Sequence, residues 1–226
     1  MDGPPTTESE LLERARRLAA LSLGELAGRH GLEAPPDLRH AKGFTGQLVE
    51  RALGATAASR AEPDFEALGI ELKTLPVDSR GRPCESTFVT TIPLTEIGDV
   101  EWEHSRVRRK LARVLWMPVE GERGIPVPRR RLGEPLLWSP DAEDEAALRF
   151  DWEELAGIIG LGDVERVTGR FGRYLQIRPK AANSRARRRG TDEDGAPFDT
   201  MPKGFYLRAT FTARILEKHY VLPHRA

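Results

Sequence analysis

Asp64, Glu71 and Lys73 have the residue types and the spacing of a metal-dependent phosphodiesterase site. In an extended strand the side chains alternate between two faces, so Glu71 and Lys73 would project together while Leu72 points the other way. Carboxylate oxygens suit a hard cation such as Mg²⁺, and an ammonium group beside the metal favours the hydroxide form of a bound water. Together the three residues could hydrolyse a nucleic-acid backbone.

The spacing alone is weak evidence for such a site. The chain has 35 acidic residues, so an acid two residues before one of its few lysines is expected by chance roughly six times in ten. The alternative interpretation is a solvent-facing edge strand whose salt bridge contributes little. Two features favour chemistry: the segment 70–74 alternates as a strand does, and Asp64 follows directly after Pro63.

Composition limits the class of protein. A chain of 226 residues with 39% hydrophobic and 31% charged residues is long enough for one globular domain with two lobes. The formal net charge is zero, so any binding to nucleic acid must come from local basic patches. The single cysteine, Cys84, cannot form an internal disulfide, and the chain has neither an apolar signal segment nor a membrane-spanning run. These features predict a cytoplasmic protein without a membrane partner.

Helices are predicted from periodicity and from start and stop signals. Residues 9–31 form two pieces, the second capped by Ser22 and Glu25 in a capping box. A further helix covers 47–53, carries Glu50 and ends near Gly54. Ser139 is the expected N-cap of a helix that begins at Pro140 and runs to about Gly160, and Thr210 starts a closing helix to about Lys218.

Strands are predicted where β-branched and aromatic residues alternate. The motif segment lies between Pro63 and Pro76, and with 86–94 and 114–119 it would form a mixed or antiparallel sheet of three strands. Residues 174–177 and 204–207 are two more short strands. The charged, aperiodic segment 185–200 between them is interpreted as a mobile loop.

Three basic clusters could contact phosphate. They occur at 106–113, 129–131 and 178–189, and acid-rich stretches at 141–145 and 192–194 offset them. Such runs are usually solvated faces, but their separation from the acids favours a segregated positive surface whose binding to phosphate would fall steeply with salt.

Other kinds of site have little support in the sequence. The five histidines have no metal-ligand spacing, and no glycine-rich phosphate loop or nucleophile elbow is present.

With these residues in view, the chain resembles the MutH family of DNA mismatch-repair endonucleases, which are relatives of GATC-cutting restriction enzymes. The resemblance covers nearly the whole chain. The segments that carry it are 42–50, 64–74, 76–79, 113–122, 135–140, 174–183 and 204–207.

The resemblance implies an α/β fold of the PD-(D/E)xK restriction-endonuclease type, with a mixed central sheet flanked by helices and two lobes around a DNA-binding cleft. The whole chain, 1–226, would be one endonuclease domain. Its catalytic motifs would lie in about 42–120 and its DNA-recognition elements in about 174–210.

Site residues carry over from the family motif by motif. Asp64 and Glu71 would bind a divalent metal, Mg²⁺ with Mn²⁺ able to substitute, helped by the backbone carbonyl of Leu72. Lys73 would orient and activate the attacking water. Glu50 resembles the family's further active-site acid, and Lys110 its second active-site lysine, near the scissile phosphate.

The family's DNA contacts also carry over. Arginine and lysine can donate to guanine in the major groove, and the apolar faces of proline and tyrosine can contact an adenine methyl group. The recognition residues implied are Arg178, Pro179, Lys180 and Tyr206, and Lys42 and Phe88 would contact DNA as well.

The implied activity is a nick in the unmethylated strand of double-stranded, hemimethylated GATC DNA during mismatch repair. MutL is the implied activator, MutS acts indirectly, and a monomer is expected. Two alternatives stay open. One is a type II restriction endonuclease that cuts both strands at GATC, and the other is a DNA-binding module without catalysis.

Overall fold

The computed structural model describes residues 3–38, 41, 43–57, 61–94, 97–163, 167, 169–180, 188–191 and 197–220. They divide into two compact units. The first comprises Met1–Glu85, Ala112–Ser139 and Ala213–Ala226, and the second comprises Ser86–Leu111 and Pro140–Thr212.

The described helices and strands are interspersed along the chain and form a mixed α/β fold. The helices are α1 (Glu8–Arg16), α2 (Leu23–Arg29), α3 (Phe44–Leu53), α4 (Arg106–Leu111), α5 (Ala142–Gly160) and α6 (Ala209–His219). The strands are β1 (Glu71–Val77), β2 (Thr87–Thr91), β3 (Val114–Glu120), β4 (Leu136–Trp138), β5 (Leu175–Pro179), β6 (Arg188–Thr191), β7 (Pro197–Thr200) and β8 (Lys203–Leu207). No helix within the described ranges has the length and apolar character needed to cross a membrane.

Local signals fix the helices of the first unit where the sequence predicts them. The side chain of Ser22 accepts from the backbone N–H of Glu25, and the Glu25 carboxylate accepts from the Ser22 N–H at 2.8 Å, so the predicted capping box is confirmed. Gly54 ends α3 with φ of 79°, a left-handed conformation that glycine adopts without a steric penalty.

The sheet of the first unit is mixed, as expected. Its strand order is β1-β3-β4, with β1 parallel and β4 antiparallel to β3. The predicted strand end at Pro76 is wrong, because Pro76 lies inside β1. A proline fits there because β1 is an edge strand among the described strands. On an edge strand, the missing proline N–H removes no hydrogen bond between neighbouring strands.

One face of this sheet packs against the helices. Leu72 of β1 and Leu115 and Met117 of β3 join a buried cluster with Leu48 and Val49 of α3. By the alternation of strand side chains, Glu71 and Lys73 belong to the opposite face. Burial of the apolar face therefore fixes the register that presents the acid and the lysine on the other side.

The second unit contains a separate antiparallel sheet of order β2-β8-β5. The prediction that β2 shares a sheet with the motif strand and β3 is therefore wrong, because β2 pairs with β8. Asp141, and not Ser139, caps α5, since its carboxylate accepts from the Asp144 N–H at 2.9 Å. The hydroxyl of Ser139 instead donates to the carbonyl of Ala112 at 2.8 Å.

The segment 185–200 is not a loop throughout. Its described parts, β6 and β7, form an antiparallel hairpin with Arg188 paired to Thr200. The prediction of a mobile loop is wrong for these two strands, and the rest of that segment lies outside the described residues. The closing helix α6 begins at Ala209, so Thr210, which the sequence predicts as the cap, lies inside the helix.

Candidate active site and nucleic-acid interface

β1 brings Glu71 and Lys73 together, as their spacing predicts. Their side chains form an ion pair in which the Lys73 ammonium donates to Glu71 Oε1, and only 12% of the lysine side chain and 4% of the glutamate side chain are exposed. The Glu71 N–H donates to the carbonyl of Arg113 at 3.0 Å, which holds the start of β1 against the start of β3. The pair therefore sits on well-fixed backbone at the beginning of the strand.

A tight turn between Asp64 and β1 brings the Asp64 side chain back against the strand. The N–H of Phe65 donates to the carbonyl of Ile70 at 2.9 Å, and Gly69 between them has φ of 65°. Asp64 Oδ2 accepts from the backbone N–H of Leu72 at 2.8 Å. The second acid of the motif is thus fixed next to the residue that separates Glu71 from Lys73.

Glu50 lies on α3, the helix that packs against β1. A Cβ built on Gly46 would lie 3.7 Å from Glu50 Oε1 and 3.9 Å from Thr74 Oγ1. Glu50 is half-buried, and the two distances place its carboxylate near Thr74 of β1. By alternation Thr74 lies on the helix-packed face of β1, opposite Glu71 and Lys73, so the structure brings Glu50 to the motif strand but not to the face of the ion pair.

The motif residues of the first unit suit a hard divalent cation. Asp64 and Glu71 supply carboxylate oxygens and Leu72 a backbone carbonyl, which is the donor chemistry that Mg²⁺ prefers, and Mg²⁺ usually keeps several waters as further ligands. Among the described residues, no group of three or more His, Cys, Asp or Glu side chains could hold a metal. Two carboxylates and a backbone carbonyl are a different kind of donor set, and their chemistry fits the ion that the family resemblance implies.

Lys110 lies on α4 of the second unit and is buried, with 6% of the residue exposed. The two arginines before it, Arg108 and Arg109, are exposed. Because a lysine ammonium is rarely buried without a partner or a function, Lys110 stands apart from the rest of its basic cluster.

Four of the predicted recognition residues, with Phe88, meet on the second unit's sheet. The Lys180 ammonium lies 2.8 Å from the centroid of the Phe88 ring, and Phe88 packs edge-on against Tyr206 at 5.3 Å between centroids. The Arg178 guanidinium is 5.9 Å from the Tyr206 ring, and Pro179 pairs with Lys203 at the end of β5. Exposed cations thus alternate with planar rings, an arrangement that can contact both phosphates and bases.

Sequence reasoning missed two residues that shape this surface. Gly204 lies so close beneath the Phe88 ring that a Cβ there would be 2.8 Å from Phe88 Cε2. Gln176 pairs with Tyr206 and donates to Ser86 Oγ at 2.8 Å. The alternation of β5 could have indicated Gln176, since it shares a face with Arg178. A groove of about 520 Å³ is lined by Ser86, Gln176, Arg178, Pro179, Arg208 and Thr210.

Lys42, the remaining predicted DNA contact, lies outside the described residues.

Two arginines of the basic cluster at 106–113 form ion pairs within the protein. Arg108 donates to Glu145 at 2.7 Å, and Arg113 donates twice to Glu8, at 2.6 and 3.0 Å. Hydrogen bonding by Arg113 lowers the pKa of the Glu8 carboxyl. These arginines stabilise each unit, and the cluster is a poorer phosphate surface than the sequence indicates.

Comparisons with known proteins identify the family. A family model described as "DNA mismatch repair enzyme MutH" matches residues 53–151. The "DNA mismatch repair protein MutH" of Klebsiella pneumoniae (strain 342) is 55% identical over 99% of this chain and 97% of its own length. The proteins of that description from Serratia proteamaculans and Vibrio cholerae are 56% and 54% identical, over 96% and 97% of this chain and 95% and 100% of their own lengths.

The mixed α/β fold and these matches together define the class, an enzyme of DNA mismatch repair. Within that class, the chain belongs to the MutH family. The family predicted from the motifs is confirmed, and so is the prediction that the chain is an enzyme.

Proposed function

We propose that this protein is a metal-dependent endonuclease that nicks the unmethylated strand of hemimethylated GATC sites during mismatch repair. The fold would be of the PD-(D/E)xK type. The observation that supports the proposal most is the buried Glu71–Lys73 pair on β1, with Asp64 held at Leu72. A buried carboxylate–lysine pair on an edge strand has no evident packing role, whereas a phosphodiesterase needs both groups at one spot.

Asp64, Glu71 and the Leu72 carbonyl would hold the divalent metal, Mg²⁺ with Mn²⁺ able to substitute. When bound, the ion would polarise the scissile phosphate and lower the pKa of a water that it ligates. Glu71 would be a ligand of the ion, and the Lys73 ammonium on the same face of β1 would donate to the attacking water and stabilise its developing negative charge.

Two further residues keep the roles that the family resemblance implies. Lys110 would stabilise charge that develops on the scissile phosphate, and its burial on α4 supports a role beyond solvated charge. Glu50, on the helix that packs against β1, would act as the further active-site acid. Both roles are proposals that substitution can test one residue at a time.

The second unit's sheet would read the DNA. Arg178 and Lys180 would donate to guanine in the major groove, while Pro179 and Tyr206 would present apolar faces to an adenine methyl group. Phe88 and Lys42 would add DNA contacts. The packing of Phe88 against Tyr206 and Lys180 supports this assignment, since it makes these residues one surface.

The partners are proposed from the family. MutL would activate the enzyme after MutS has found a mismatch, and the protein would act in the cytoplasm as a monomer.

Nicking assays test the function. Duplexes with one GATC site, unmethylated, hemimethylated or fully methylated, are incubated with Mg²⁺, with and without MutL. We expect nicks in the unmethylated strand, stimulation by MutL and no cutting of fully methylated DNA. Cutting of both strands of unmethylated DNA without a partner would instead establish a restriction endonuclease.

Variants separate catalysis from binding. Asp64→Ala and Lys73→Ala should abolish nicking and spare DNA binding, because they remove catalytic groups and leave the recognition surface unchanged. If both variants retain every measurable activity of the wild type, the protein is a DNA-binding module. Lys218→Ala, an exposed lysine on α6, is a control that should leave both activities unchanged.

A further inference from the structure

Trp116 lies directly beside Lys73 in the sheet of the first unit. The register of the parallel pair β1 and β3 matches Lys73 with Trp116 and Glu71 with Val114. In-register neighbours on adjacent strands project to the same face. Trp116 therefore belongs to the face that presents the Glu71–Lys73 pair, opposite the face packed against the helices.

The indole N–H of Trp116 is buried without a hydrogen-bond partner. Trp116 is 0% exposed, and its Nε1 is the one buried side-chain nitrogen or oxygen without a partner in the described part of the chain. Trp138, its aromatic neighbour at 6.2 Å between ring centroids, is also buried, with 3% exposed, but its indole N–H is not unsatisfied in this way. A buried donor left unpaired is destabilising, and a native structure that retains one needs a reason.

The reason lies in what Glu71 must do in the proposed reaction. Its carboxylate accepts from Lys73. In the proposed function Glu71 would hold the metal and Lys73 would donate to the water, so Lys73 would no longer hold the carboxylate. Carboxylates that bind metals are normally held by a further hydrogen bond, and removing such a bond typically costs about 10-fold to 100-fold in metal affinity or activity.

We propose that Trp116 is the positioning residue that supplies this bond, donating from Nε1 to the Glu71 carboxylate in the metal-bound state. The inference rests on the proposed function and deepens it. Trp116 acts through Glu71 and does not touch the substrate. Its unpaired N–H is then a buried donor on the face of the sheet that carries Glu71.

Metal titration of the protein without DNA tests the proposal. Trp116→Phe keeps an aromatic ring and removes the donor, and Trp138→Phe is the matched control on the same face. By calorimetry, Trp116→Phe should bind Mn²⁺ about tenfold more weakly than the wild type, with Trp138→Phe within about twofold. In nicking assays the Mg²⁺ concentration for half-maximal rate should rise accordingly, with little change in the KM for DNA.

Nuclear magnetic resonance gives a readout that does not depend on the Trp116→Phe variant being folded. The indole N–H resonance of Trp116 in the wild type, assigned by elimination with Trp102→Phe, Trp138→Phe and Trp152→Phe, should move downfield as Mg²⁺ is added. The Trp102 resonance is the internal control, since that N–H already donates to Glu145 at 2.9 Å.

The outcomes distinguish the two proposals. A wild type that binds Mg²⁺ and nicks DNA, but whose Trp116 resonance stays in place, would overturn the role of Trp116 alone. Unchanged Mn²⁺ affinity in a folded Trp116→Phe variant would do the same. A wild type that binds no divalent metal would overturn the proposed function, and the role of Trp116 with it.

Discussion

The carboxylate of Asp64 accepts a hydrogen bond from the backbone N–H of Leu72 at 2.8 Å. This bond joins the turn at 65–70 to β1, so Asp64 has a structural contact in addition to its proposed metal contact. The two contributions can be separated, because an asparagine side chain retains a carbonyl oxygen for the Leu72 N–H and loses the negative charge.

Asp64→Asn is therefore expected to fold with a stability close to the wild type and to lose at least ~100-fold of the nicking rate. Asp64→Ala should lose the nicking rate and also roughly 1 kcal/mol of stability, because the Leu72 N–H loses its partner. Chemical denaturation and nicking assays on both variants give the two quantities. Equal destabilisation of both variants would contradict this, because it would mean that the amide oxygen does not replace the carboxylate in the bond to Leu72.

Gly204→Ala tests the recognition surface. The new Cβ would lie 2.8 Å from Phe88 Cε2 and 3.0 Å from the Thr90 carbonyl, so the ring must move away from Lys180 and Tyr206. We expect binding to GATC duplexes to weaken about tenfold, with a smaller effect on nonspecific DNA. Gly157→Ala on α5 is the matched control, because nothing lies within 4 Å of its Cβ position. If both variants bind DNA alike, Phe88 does not contact it.

Asp151 should matter for stability. It is buried on α5, and its carboxylate accepts from the backbone N–H groups of Arg173, Tyr174 and Leu175 at 2.8, 2.6 and 2.8 Å. Asp151→Ala leaves these donors unpaired at the start of β5 and should cost roughly 3 kcal/mol. Urea denaturation measures the cost. Glu154→Ala, an exposed neighbour with one long bond to Gly172 at 3.3 Å, should be nearly neutral.

The raised pKa of Tyr220 predicts how the free energy of unfolding changes at alkaline pH. Burial, and secondarily the charge of Glu134, raise the pKa of Tyr220 from 10.0 to about 12, and its hydroxyl donates to the Glu134 carbonyl at 2.6 Å. Because the folded pKa is higher than the unfolded one, the contribution is complete below pH 10 and is lost as the pH rises through 12. In thermal melts from pH 9 to 12, the melting temperature of Tyr220→Phe should therefore fall less steeply with pH than that of the wild type. An identical slope in both proteins would contradict the assignment.

The parts of the fold that local sequence determines were predictable. A capping box involves Ser22 and Glu25 alone, and a left-handed helix end needs only Gly54, so short-range patterns locate both. Glu71 and Lys73 share a face because alternation along one strand is also local. The same reasoning placed Gln176 and Tyr206 on strands, although it ended the first of these strands at 177, two residues before the end of β5. The short β4 was missed because three residues carry too little periodicity.

The parts that depend on partners distant in sequence were not predictable. β2 has the composition of a strand, but only the fold shows that it pairs with β8 and not with β1. The hairpin of β6 and β7 has no apolar alternation, so its pairing could not be read from a pattern. The neighbourhood of Lys73 and Trp116 is likewise a matter of register between two strands, and no spacing in the sequence records it.

Pro76 has a consequence for solubility. β1 is an edge strand of its sheet among the described strands, and an exposed edge is a template on which another chain can add a strand. Pro76 offers no N–H there, and its carbonyl is already taken by the Cys84 N–H at 2.9 Å. The partly buried charges of Glu71 and Lys73 disfavour a strand from a second molecule along the same edge. The strand that carries the proposed chemistry is thereby also protected against edge-to-edge aggregation.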